Sequence, residues 1–288
     1  MTITILDGGM GQELIRRAKG APTPLWSTQV MKDEPGLVAA VHRDFAQAGA
    51  QIATSNTYAI HHDRLAGTPF EDRFADLHAM ALAEIKDCGS AQIAGSIGPL
   101  GASYRPDLHP DTDEAVRLYR EIVTLLAPQC DLFIGETVAS VHHAQCILDA
   151  TLWTGKPVWL AMTVDDTDGT KLRSGEPVAD VLPVAMAGAA AILVNCSTPE
   201  VIPAALDVIK EAGLPFGAYA NGFEKISDGF LEARPTVDTL TARRDLTPSA
   251  YADHAEKWVA AGATIIGGCC EVGPDHIAEL SRRFAEHR

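Results

Sequence analysis

The chain has little that would suit it to a polyanion or a membrane. Its 288 residues hold 23 Lys and Arg against 38 Asp and Glu, a formal charge of -15, and a field of that sign repels nucleic acid and anionic lipid. No run of about 18 apolar residues occurs, and Met1 to Asp7 has no basic segment leading into an apolar stretch of signal length. A soluble cytoplasmic protein is therefore expected, monomeric or a small homo-oligomer, acting on a small neutral or cationic molecule and binding neither membrane nor nucleic acid. Six cysteines are too few and too irregularly spaced for a disulfide framework, which leaves buried thiols or metal ligands. After the first apolar run there is no Gly-x-Gly-x-x-Gly, only Asp7-Gly8-Gly9-Met10-Gly11, so a dinucleotide site is unsupported.

What is present is a repeated unit. Short β-branched or apolar runs recur, each followed by a longer stretch of helical periodicity, as in βα units around a parallel sheet. Eight such strands are expected: Thr2 to Leu6, Gln51 to Thr54, Gln92 to Gly95, Leu132 to Gly135, Val158 to Met162, Ala191 to Val194, Phe216 to Tyr219 and Thr264 to Ile266. Among the helices between them are Leu37 to Ala48, Thr112 to Leu126, Val138 to Leu152 and Ser249 to Ala261. The pattern predicts a (β/α)8 TIM barrel, a single domain over residues 1–288, with a doubly wound open sheet as the runner-up. Two long loops, Gly20 to Pro35 and Gly222 to Thr247, exceed what a bare connection needs and are expected at the mouth as lids or walls.

Barrel enzymes place their chemistry at the C-terminal ends of the strands. The residues just past the expected strands are Asp7, Asn56, Ser96, Glu136, Thr163, Cys196, Asn221 and Cys269, all polar or metal-binding types. Three cysteines are among or beside them, since Cys269 and Cys270 are adjacent and follow Gly267-Gly268. Three thiolates at one end of a barrel suit Zn2+ and leave a fourth tetrahedral position for a substrate. The alternatives are ordinary buried cysteines or a vicinal disulfide between Cys269 and Cys270. Cys88, Cys130 and Cys146 fall in or beside helices and are read as packed thiols. His61 and His62 follow the second strand and are read as solvated loop residues.

These residues stand in motifs that together resemble the homocysteine S-methyltransferase family: Leu6-Asp7-Gly8-Gly9-Met10-Gly11, Pro24-Leu25-Trp26-Ser27, Thr54-Ser55-Asn56-Thr57-Tyr58, Gly95-Ser96-Ile97-Gly98-Pro99, Gly135-Glu136-Thr137, Val194-Asn195-Cys196, Tyr219-Ala220-Asn221 and Gly267-Gly268-Cys269-Cys270. The resemblance implies a barrel in which Cys196, Cys269 and Cys270 hold zinc, and Asp7 and Glu136 hold the ammonium of homocysteine. It places Tyr58 beside the metal and Trp26 in the donor pocket; Asn221 joins them as a substrate-binding candidate. The activity implied is methyl transfer from a small onium donor, S-methylmethionine, S-adenosylmethionine or a betaine, to homocysteine, giving methionine. A different thiol or selenol acceptor, a non-catalytic zinc or thiol-binding barrel, and a metal-free lyase are the alternatives. The chain departs from the family pattern in Glu271-Val272-Gly273-Pro274 after the cysteine pair and in the charged stretch after Gly222-Phe223. No cobalamin or folate domain is found in the sequence, so a donor acting through bound cobalamin is not expected.

Overall fold

The strand-like runs fold as expected, into strands too short to stand alone and stable only as a ring. In the computed structural model, which describes residues 2–20, 23, 25–224 and 241–287, they are β1 Thr4–Ile5, β2 Ile52–Thr54, β3 Gln92–Ile97, β4 Leu132–Val138, β5 Val158–Met162, β6 Ala191–Asn195, β7 Phe216–Tyr219 and β8 Ile265–Ile266. They form one parallel sheet in the order β1-β8-β7-β6-β5-β4-β3-β2. A parallel bridge from Leu6 to Ile52 joins its two ends and closes the barrel.

The helices are α1 Met10–Arg17, α2 Trp26–Asp33, α3 Leu37–Ala48, α4 His62–Leu65, α5 Phe74–Ile85, α6 Thr112–Leu126, α7 Val141–Thr151, α8 Leu182–Gly188, α9 Ile202–Ile209, α10 Pro248–Ala260 and α11 Pro274–Arg283. Among the described residues none is long and apolar enough to cross a membrane. Alternation along each strand divides the core in two. On β6, Ala191 and Leu193 point into the barrel, while Ile192 and Val194 pack outward against the helices. Both faces are buried, which is why these strands read as continuous apolar runs rather than alternating ones.

Two differences from the sequence reading have local causes. The helix after β4 starts at Val141, not Val138, because β4 runs on to Val138 and Ser140 caps the helix, its Oγ accepting from the His143 N–H at 3.1 Å. The segment Gly20 to Pro35, expected as a loop, contains α2, whose Thr28 and Met31 are fully buried. Of the second long loop, residues 225–240 lie outside the described residues, as does Pro24 of the motif around Trp26.

Candidate active site

The C-terminal ends of the strands converge on a cavity of about 120 Å³. Cys196 follows β6 and the cysteine pair follows β8, with β7 between them. The ring brings the Cα atoms of Cys196 and Cys269 to 5.8 Å, and these two are joined as a disulfide. Cys270 is a free thiol with its Sγ 4.0 Å from that of Cys269, so the vicinal pair is not the one bonded. All three sulfurs lie within 4.8 Å of one another. Zinc–sulfur bonds of about 2.3 Å hold sulfurs about 3.8 Å apart in a tetrahedral shell. Once reduced, the three residues therefore form a donor set that fits a soft or borderline divalent cation, with the remaining side open to the cavity.

The backbone here is strained in a way that needs holding. Six described residues other than glycine have positive φ; Trp26 (47°), Tyr104 (63°), Thr137 (56°) and Cys196 (47°) line the cavity, and Glu271 (64°) follows the cysteine pair. Such conformations cost about 1 to 3 kcal/mol each and persist where neighbours fix them. Thr163 Oγ1 donates to the Cys196 carbonyl at 3.1 Å, Ser197 Oγ accepts from the Val164 N–H at 2.9 Å, and Asn195 Oδ1 accepts from the Thr137 N–H at 3.0 Å. Gly9 lets the β1 turn lie against the cysteine loop, since a Cβ there would stand 2.5 Å from the Cys269 carbonyl oxygen.

Two carboxylates face the same space. Asp7 Oδ2 accepts from the Thr54 N–H at 2.6 Å and its Oδ1 from Thr54 Oγ1 at 2.7 Å. Glu136 accepts from Tyr219 Oη at 3.0 Å and from Ser96 Oγ. Neither has an ion-pair partner among the described residues. Burial pushes the Asp7 carboxyl up to about 7, the Thr54 bonds opposing the shift and the charge of Glu136 adding to it. Burial likewise raises Glu136, against the bonds from Ser96 and Tyr219. A buried carboxylate pair without a counter-charge is costly, and a cationic group entering the cavity would relieve it.

Aromatic residues form the remaining wall. Trp26 and Tyr104 pack in one apolar cluster with Cys196, Cys269 and Cys270. Tyr58 Oη shares a hydrogen bond with Ser103 Oγ at 2.7 Å. The Arg173 guanidinium stacks on Tyr104 at 5.2 Å from the ring centre and is itself fixed by Asp166 at 2.8 Å.

Not every expected residue reaches the cavity. Asn221 is buried beside it rather than in its lining, its Oδ1 accepting from the Phe223 N–H at 3.4 Å and its own N–H donating to the Ser197 carbonyl. Glu271 also lies off the lining. His61 is buried rather than solvated, with Nε2 3.0 Å from the Tyr58 carbonyl, whereas His62 is exposed and pairs with Glu121. Cys88, Cys130 and Cys146 are buried thiols. The sequence reading missed Thr54 and Tyr219, the partners of the two carboxylates. Their only signal was a position inside quoted motifs, because an inward-facing strand residue looks the same whether it packs or binds.

A parallel barrel with thiols and unpaired buried carboxylates at its C-terminal mouth has the build of a TIM-barrel enzyme. The model of the family described as homocysteine S-methyltransferase matches residues 4–284, and the chain belongs to that family. It is 30% identical to the homocysteine S-methyltransferase of Escherichia coli over 98% of this chain and 95% of that one. It is 26% identical to a selenocysteine Se-methyltransferase of Brassica oleracea over 99% and 89%. Crystal structures of the homocysteine methyltransferase MmuM from Escherichia coli match with TM-scores of 0.81 for the metallated form and 0.80 for the oxidized form, at 26% identity over 98% of this chain and 96% of that one.

Proposed function

We propose that the chain transfers a methyl group from a small onium donor to homocysteine, with Cys196, Cys269 and Cys270 holding zinc. The observation that carries this reading is the meeting of three thiols and two unpaired buried carboxylates in one cavity. Zinc held there would supply the Lewis acidity that lets a bound thiol lose its proton near neutral pH.

Asp7 and Glu136 hold the acceptor's ammonium, so the acceptor is an amino acid bearing a thiol. The ammonium favours the ionised form of Asp7, and the proton that burial keeps on this group leaves as the acceptor binds. Trp26 and Tyr104 face the donor, whose positive charge suits aromatic faces, and with Tyr58 they exclude water. The acceptor sulfur attacks the methyl carbon as the bond from that carbon to the donor heteroatom breaks. The electron pair stays on the donor, which leaves as a neutral thioether or amine, so no general acid is needed and alignment is the protein's main task. This agrees with the lack of a histidine among the described residues that line the cavity.

The similarity to a selenocysteine Se-methyltransferase favours a second reading, a selenol acceptor in the same site. The reduced, zinc-loaded protein assayed with S-methylmethionine, S-adenosylmethionine and glycine betaine, against homocysteine and selenocysteine in turn, tests both. Methionine from at least one onium donor is the expected result. No methyl transfer to either acceptor from any of the three overturns the proposal.

A further inference from the structure

Away from the mouth, the seam between α6 and α7 gathers a second set of ligand-type side chains. His142 and Cys146 are one turn apart on α7 and so project from the same side of the helix. His109 ends the connection from β3 to α6. The ligand atoms of the three lie within 4.8 Å of one another. Cys146 Sγ is 3.4 Å from His142 Nε2. A tetrahedral zinc with bonds of about 2.0 Å to nitrogen and 2.3 Å to sulfur would hold those atoms about 3.5 Å apart.

The surroundings suit a cation. The rings of His109 and His142 meet edge to face with centroids 5.1 Å apart. His109 Nδ1 lies 3.1 Å from the Pro110 carbonyl, which makes Nδ1 the protonated nitrogen and leaves the lone pair on Nε2. Carbonyls orient metal-bound histidines in this way. The atoms now occupying the ligand nitrogens are neutral hydroxyls: Tyr119 Oη at 3.2 Å from His109 Nε2, and Thr112 Oγ1 at 3.1 Å from His142 Nε2. On losing His109, Tyr119 keeps its bond to His143 Nε2 at 2.9 Å. Asp111 and Asp149 stand close enough to act on Cys146 electrostatically, and their charge favours a cation.

We propose that His109, His142 and Cys146 form a second metal site, distinct from the thiols at the mouth, for a borderline divalent ion such as zinc. Two imidazoles and one thiolate select zinc, cobalt or nickel over magnesium and calcium. His142 is exposed, so solvent water completes the shell. The bound ion pins the end of the β3–α6 connection to α7. The same connection carries Ser103 and Tyr104 into the cavity wall, so the ion stiffens that wall without touching the reactants.

Cobalt(II) titration of the reduced protein, followed by thiolate-to-cobalt absorption and by metal analysis, tests this in three forms: the parent, His142→Ala, and Cys196→Ser/Cys269→Ser/Cys270→Ser. The triple variant is expected to bind one equivalent with the charge-transfer intensity of a single thiolate. His142→Ala, a change at an exposed position, is expected to lower the parent's uptake by one equivalent. If the triple variant loses its fold, the parent compared with His142→Ala still decides the matter. Equal uptake by those two proteins overturns the proposal, as does a folded triple variant that binds no cobalt. A parent that binds a single equivalent, lost in His142→Ala, supports the α6–α7 site and sinks the zinc reading of the mouth.

Discussion

The thiols at the mouth and the thiol on the α6–α7 seam are held in different ways. Cys196 and the pair Cys269-Cys270 come from strand ends 73 residues apart in the chain, brought together by the pairing of β6 and β8 on either side of β7, and left-handed backbone at Cys196 is braced by Thr163 and by Ser197 beside it. His142 and Cys146 need only one turn of α7, with His109 delivered by the packing of α6 against it. The mouth is rigid because many elements over-determine it, and it faces two carboxylates and an aromatic wall. The cluster on the α6–α7 seam lies at the surface, with His142 exposed. On the proposals above, similar donor sets would serve turnover in one place and a structural staple in the other.

The largest expected effect separates the two clusters directly. Cys269→Ser should lower methionine formation by about 1000-fold or more, because the acceptor loses its activation, whereas Cys146→Ser should leave turnover within about threefold; steady-state assays with metal analysis compare them. Next, Asp7→Asn should raise the acceptor KM by about 30-fold with a smaller change in kcat, the loss of a charged hydrogen bond of about 2 kcal/mol to a nonreacting group.

The same residue has a pH signature. Its carboxyl is held up to about 7 in the fold against 3.8 ordinarily, so the folded state retains a proton that the unfolded chain has released. The stability it contributes is present below about pH 4, falls as pH rises through the window to about 7, and is lowest above it. Asp7→Asn should therefore raise the Tm of the ligand-free protein by about 4 °C or more at pH 8 and have little effect at pH 4, as read by calorimetry. Acceptor affinity should fall in the parent as pH drops below 7, and the slope should be shallower by one proton in the variant, where only the acceptor thiol releases a proton on binding. The smallest effect is at the aromatic wall. Trp26→Leu should raise the KM of a cationic donor by about fivefold, the loss of about 1 kcal/mol of cation–π attraction, with the acceptor KM unchanged. Equal changes in both would assign Trp26 to the general shape of the cavity.

Much of the mouth was legible because strand ends are easy to find. Runs such as Ala191 to Val194 are buried on both faces, and the first polar residue beyond each run falls at the C-terminal rim. That logic found Asp7, Glu136, Cys196 and Cys269. It misplaced Asn221, since a residue leaving a strand can turn under the rim as easily as into the cavity. It missed α2 because Leu25 offers no side-chain cap and the only start signal is packing of Thr28 and Met31. It passed over the cluster of His109, His142 and Cys146 because the contact exists only once α6 and α7 are docked.

X-ray absorption at the zinc edge, recorded on the reduced, zinc-loaded His142→Ala protein before and after adding homocysteine, reads the mouth most directly. Three sulfur neighbours at about 2.3 Å are expected before, and four after. A shell dominated by nitrogen and oxygen, or a sulfur count that homocysteine leaves unchanged, would contradict activation of the acceptor by the three cysteines.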